Sequence, residues 1–159
     1  VHLSILILMK KQTKYENAIS KVESIFSGKL KLSTQARMSL VASILHMEFS
    51  HWVFCGFYLR IEPTMLEIGP YSGDIIPCTH IPLGHGVCGT TMKEKRTIIV
   101  NDVGKYDNYI SCDSKTKSEI VIPIIKDNLV MAVLDIDSPY IGEFDKIDET
   151  CLEKVSSMI

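Results

Sequence analysis

The stretch E-I-V-I-P-I-I-K-D-N-L-V-M-A-V-L-D-I-D, residues 119–137, decides the fold. Glu119 to Lys126 and Leu129 to Asp137 are both apolar and rich in β-branched residues, the composition of buried strands. Asp127-Asn128 supplies a two-residue turn, and so short a connection makes the pair an antiparallel hairpin. Asp135 and Asp137 stand two apart, so both project from one face of their strand. The hairpin brings Glu119 to the same end, and three carboxylates gather there. Such a cluster repels itself unless a cation or a shared proton occupies it, and an ammonium group or a metal ion would fit. The bland alternative is a solvated strand end with its charges facing water.

Immediately upstream, S-C-D-S-K-T-K-S (residues 111–118) holds Cys112 in a polar, loop-like run pinned to the first hairpin strand. Residues 101–118 make a loop of the length that usually serves as a lid or binding loop. Cys78 and Cys88 lie further upstream. A free thiol needs help to ionise near neutrality. Cys112 has Lys115 and Lys117 nearby, although Asp113 pulls the other way. Cys78 stands near His80. Cys88 falls in the first turn of a short helix after Gly86, where the dipole favours an anion. These thiols are expected to do redox chemistry, whereas Cys55, in an apolar strand, and Cys151, on a helix face, read as small core hydrophobes. Zinc is the rival use, with His80 or His85 completing the set. No C-x-x-C pair is present, and no metal is expected.

Working outward, Trp52 to Ile61 reads as a strand, Glu62-Pro63-Thr64 as a turn and Met65 to Ile68 as a returning strand. Gly69-Pro70-Tyr71-Ser72-Gly73 reads as a loop. Residues 75–83 form an edge or irregular strand, since Pro77 and Pro82 interrupt it. Thr97 to Val100 is a further strand. Helical periodicity runs from Thr13 to Phe26, from Ser33 or Thr34 to Phe49, and from Phe144-Asp145 to the end. The expectation is an α+β fold: a central, mostly antiparallel sheet flanked by N- and C-terminal helices. It forms a single domain over residues 13–159, with residues 1–12 as a tail. Met9-Lys10-Lys11 reads as a more natural start, and residues 1–8 as an upstream addition.

The 159 residues, 46% hydrophobic and 23% charged, suit one soluble domain with its own core. A net charge of −2 gives no case for nucleic acid or an anionic membrane surface. Five cysteines, an odd number, argue against a secreted disulfide framework. The opening apolar run is shorter than the roughly 20 residues that span a bilayer, and it lacks a secretory leader's features. A cytoplasmic setting is expected.

The order C-G-F-Y (55–58), G-P-Y-S-G (69–73), P-C-T-H-I-P-L-G-H-G-V-C-G-T (77–90), C-D-S-K-T-K-S-E-I-V-I-P-I (112–124) and V-L-D-I-D-S-P (133–139) resembles the free methionine-(R)-sulfoxide reductases, enzymes built on a GAF domain. The resemblance implies that Cys112 attacks the sulfoxide sulfur of free L-methionine (R)-sulfoxide. Cys78, or in competition Cys88, then resolves the sulfenic acid as a disulfide, and thioredoxin restores the thiols. No bound cofactor is implied. Glu119 and Asp137 would hold the substrate ammonium, and Asp135, keeping a proton, would hydrogen-bond or protonate the sulfoxide oxygen. Backbone N–H groups of the 101–112 loop would take the carboxylate. Tyr58 and an aromatic partner would receive the methyl group. The family usually carries tryptophan at the position of Phe54, and Trp52, two residues earlier on the same strand face, is a candidate substitute. A homodimer through the N-terminal helices is plausible for such domains. The second reading is a GAF-type sensor of a small ligand or of redox state, without turnover.

Overall fold

The computed structural model describes residues 2–159, with side chains from Leu6 onward. The hairpin supplies one of the two central strands of the sheet. Strands β5 (Ser118–Lys126) and β6 (Leu129–Ser138) are joined by Asp127 and Asn128, both left-handed with φ of 51° and 62°. That is the mirror-image turn whose twist matches antiparallel strands, and Asp and Asn are the residues that tolerate it. β1 (Phe54–Glu62), β2 (Met65–Gly73), β3 (His80–Pro82) and β4 (Ile98–Val100) complete a sheet of order β3-β2-β1-β6-β5-β4, every pair antiparallel.

One irregularity in the hairpin has large consequences. Lys126 pairs with Leu129 and Ile125 with Val130, but Ile124 pairs with Ala132, leaving Met131 as an extra residue in β6. This β-bulge shifts the register by one, so Glu119 faces Asp137 and Val121 faces Asp135. A regular hairpin would set Glu119 opposite Ile136, on the far side of the sheet from both aspartates. Deleting Met131 is therefore expected to turn Glu119 away from the aspartates. Activity should be lost and the melting temperature lowered, which an activity assay and thermal melting of the deletion variant would check.

One sheet face packs on α1 (His2–Phe26), α2 (Thr34–Glu48) and α4 (Lys146–Ser156) through a core that includes Tyr15, Val22, Val41, Leu45, Leu134, Ile136 and Leu152. Ser33 caps α2, and Asp145 opens α4 in a capping box with Asp148. The other face carries a second core, built from Phe54, Tyr58, Val121 and Val133 against α3 (Gly86–Glu94) and the loop after β4.

Three expectations change. Residues 2–12, read as part of a tail, belong to α1: the helix is continuous from His2, and no helix breaker separates Met9 from Thr13. Lys11 holds this part of the helix down, donating to Asp145 at 2.8 Å and to buried Asp148 at 2.6 Å. Val1, the first residue of the segment read as an upstream addition, lies outside the described residues. The G-P-Y-S-G segment is strand rather than loop, because β2 accommodates Gly69-Pro70 at a bulge between the Tyr58 and Gly56 pairings. Trp52 does not share the face of Phe54. It precedes the strand, where the two-residue alternation does not yet hold, and stacks on Phe49 at 4.2 Å in the helix-side core. Among the described residues no helix is long and apolar enough to cross a membrane.

Candidate active site

The sheet face under α3 carries the acidic cluster. Phe54 of β1, Asp137 of β6 and Glu119 of β5 form one cross-strand row, and Gly56, Asp135 and Val121 the next. Phe54, Gly56 and Tyr58 alternate with Cys55 and Phe57, so the first three face the cluster while the others enter the helix-side core. Gly56 is required by packing: a Cβ there would collide with the Cβ of Tyr71 and come within 2.9 Å of the Phe54 ring. Gly56→Ala is expected to cost about 1–3 kcal/mol by overpacking, read as a lower denaturant midpoint with unchanged slope.

These residues enclose a cavity of about 30 Å³, lined by Glu119, Asp135, Asp137, Phe54, Tyr58, Cys88 and Cys112, with Tyr109 and Ile110 contributed by the loop. Burial raises the Glu119 and Asp137 carboxyls well above the ordinary carboxylate range, and Asp135 adds to the effect on both. Burial likewise pushes Asp135 up to about 7, against the lowering effect of hydrogen bonds from the Cys88 thiol and the Glu119 carboxyl. The cluster is thus relieved by protons, the second of the two solutions open to crowded carboxylates.

The same shifts give a stability signature. All three carboxyls bind protons more tightly folded than unfolded. Their contribution is full below the unfolded carboxylate value of about 4 and is lost as pH rises through the folded values. For Asp135 that loss runs from the unfolded value up to about 7 and is complete above it. Thermal melting is therefore expected to show stability falling between about pH 5 and pH 8, with a shallower slope in Asp137→Asn.

The cysteines separate by role. Cys78 and Cys112 are joined in a disulfide, Cα atoms 5.3 Å apart, which ties the 101–117 loop to the segment before β3. Both are half-buried, and Cys112 lines the cavity. Cys88 sits in the first turn of α3, as its sequence position suggested. Its thiol is nevertheless pushed well up, first by burial and then by Asp135, Glu119 and Asp137. Cys55 and Cys151 are buried in the helix-side core. His80 pairs with Glu67 at 3.2 Å, and exposed His85 reaches the Leu83 carbonyl. Neither histidine joins the cluster.

The sequence does not single out Tyr109 and Ile110, and it shows Asp113 only as a charge beside Cys112. Tyr109 and Ile110 close the cavity from the loop, and Ile110 lies against Gly86, where φ is +59° and a Cβ would approach it to 3.3 Å. An apolar pair inside an otherwise polar loop was the available signal. Asp113 shapes the loop after Cys112, accepting from the Thr116 N–H at 3.0 Å and hydroxyl at 2.7 Å. An Asp three residues before a Thr marks this kind of local side-chain turn.

Comparison with known proteins agrees with this geometry. The GAF domain profile matches residues 32–159. GAF domain-containing protein A of Dictyostelium discoideum is 37% identical over 94% of this chain and 92% of its own length. Free methionine-R-sulfoxide reductase of Escherichia coli is 32% identical over 95% of this chain and 89% of its own. The crystal structure of free methionine-R-sulfoxide reductase from Neisseria meningitidis in complex with its substrate superposes with a TM-score of 0.87. It is 32% identical and covers 93% of this chain and 87% of that one. A chain with this sheet order, these matches along most of its length and a cysteine pair over an acidic floor belongs to the GAF-domain family of free methionine-R-sulfoxide reductases.

Proposed function

We propose that this chain reduces free L-methionine (R)-sulfoxide to L-methionine, using Cys112 as nucleophile. One observation carries the reading: Cys112, paired with Cys78, lines the same cavity as Glu119, Asp135 and Asp137. A free amino acid brings an ammonium group, and Glu119 and Asp137 give it a buried anionic seat on surrendering their protons. Phe54 and Tyr58, with ring centroids 6.2 Å apart, wall the place for the methyl group. Loop N–H groups between residues 101 and 112 take the carboxylate. Asp135 donates its proton to the sulfoxide oxygen and makes the sulfur electrophilic.

In the first step a bond forms between Cys112 and the substrate sulfur as the thiol proton leaves. Oxygen then passes to Cys112, giving methionine and a sulfenic acid. Cys78 displaces that oxygen as water, forming the disulfide and conserving the two electrons. The described conformation is this oxidised state. Its cavity holds about one or two waters, too little for an amino acid, so the loop must open before another substrate enters. Thioredoxin, reducing the disulfide by exchange, fits a cytoplasmic setting and makes a bound cofactor unnecessary. The exposed apolar side chains Leu6, Ile7, Leu8 and Met9 on α1 suit a homodimer through that helix.

The test is turnover with dithiothreitol, comparing free L-methionine (R)-sulfoxide with its N-acetyl form. The free substrate is expected to turn over and the acetylated one to fail, because an amide carries no ammonium. Equal rates, or none with either, would refute the proposal. With Cys78→Ser, the first turnover should still release methionine but leave Cys112 as a sulfenic acid, trapped by dimedone and identified by peptide mass. A sensor without turnover would release none.

A further inference from the structure

We propose that the carboxylate cavity also binds one thiophilic divalent cation of the zinc class, held by Cys88, Glu119 and Asp135. The Sγ of Cys88 and one carboxylate oxygen each from Glu119 and Asp135 lie within 4.8 Å of one another, on three different elements that converge from α3, β5 and β6. Around a tetrahedral zinc-class ion, with bonds of about 2.0–2.3 Å, ligand atoms stand roughly 3.3–3.8 Å apart. Small side-chain rotations close that difference.

A second observation points to a ligand. Asp135 and Asp137 are 5% and 7% exposed, and Oδ1 of each is buried with no hydrogen-bond partner among the described residues. Both line the cavity, and no lysine or arginine is among the described residues that do. Its volume of about 30 Å³ suits a single ion with a water. Asp137, next to Asp135 on the same strand face, is placed to bind that water or the ion itself.

The donor set selects the metal. One thiolate with two carboxylates favours zinc or cadmium, whereas magnesium and calcium take oxygen ligands alone. Binding would release the Cys88 proton to solvent. The sequence reading expected no metal because it sought C-x-x-C spacing and histidines. Here the ligands are far apart in the chain and the histidines lie elsewhere. The site also gives Cys88 a role, since it stays reduced while Cys78 and Cys112 are paired. Insofar as the cavity also seats a substrate ammonium, which rests on the proposed function, cation and substrate exclude each other.

The test uses the oxidised protein, which cannot turn over, so its outcome is independent of any reductase assay. Equilibrium dialysis against cadmium or zinc chloride should find one tightly held ion per chain. The cadmium form should show an ultraviolet sulfur-to-metal charge-transfer band. Cys88→Ser should remove the band and weaken binding by about tenfold or more, and Cys151→Ser should leave both unchanged. Glu119→Gln, a milder change, should weaken binding while the fold, checked by circular dichroism, is retained. Absence of a bound ion, a band that survives Cys88→Ser, or undiminished affinity in Glu119→Gln would overturn the proposal.

Discussion

Replacing Cys112 with serine is expected to abolish reduction of free methionine sulfoxide, lowering kcat/KM by roughly three orders of magnitude or more. A hydroxyl is a far weaker nucleophile than a thiol near neutrality and cannot carry the oxygen onward as a sulfenic acid. Nor can another cysteine stand in. Cys88 is fully buried, and neighbouring carboxylates hold its proton on. Cys55 and Cys151 face the other core. The variant should fold normally, because position 112 is half-buried on a loop. Steady-state kinetics with dithiothreitol, alongside a thermal melt, would separate lost chemistry from lost structure. Retained turnover in a folded Cys112→Ser protein would remove the proposed nucleophile.

Asp135→Asn is expected to lower kcat by about 10²–10⁴, the usual contribution of a positioned general acid. The amide can still donate a hydrogen bond to the sulfoxide oxygen but has no proton to transfer. KM should change less, since the ammonium is assigned to Glu119 and Asp137. The pH profile supplies a separate test. The proposed general acid would act while protonated, and burial holds the Asp135 carboxyl at about 7, so kcat in the unmodified protein should fall as pH rises through that region. This alkaline limb should vanish in Asp135→Asn, leaving a low activity that does not follow the same ionisation. An unchanged limb in the variant would assign the pH dependence to another group.

Much of this site was legible because its parts are local. The two-residue turn between β5 and β6 permitted one topology, and i, i+2 spacing put Asp135 and Asp137 on one face. The placement of Glu119 is different. Its nearness to the aspartates follows from the hairpin, but its sharing their face depends on the Met131 bulge, which apolar alternation did not reveal. The strand character of Gly69–Gly73 was hidden in the same way, because glycine and proline signal a turn and a bulge alike. Trp52 misled by counting two residues back through a segment that is not yet strand. The proton relief of the cluster and the high thiol pKa of Cys88 depend on burial and on approach from three elements, neither of which is written in spacing. Loop residues Tyr109 and Ile110 reach the cavity through a path that no repeat or periodicity specifies.

The central claim is that the Cys112 sulfur and the three carboxylates serve one substrate in one enclosed site. The most direct measurement is a single turnover of fully reduced protein with free L-methionine (R)-sulfoxide and no added reductant. Expected is one methionine per chain, matched by loss of the two thiols at Cys78 and Cys112 and a peptide cross-link between them, with Cys88 still alkylatable after denaturation. Methionine formed without that cross-link, or no methionine from a folded and reduced protein, would contradict it.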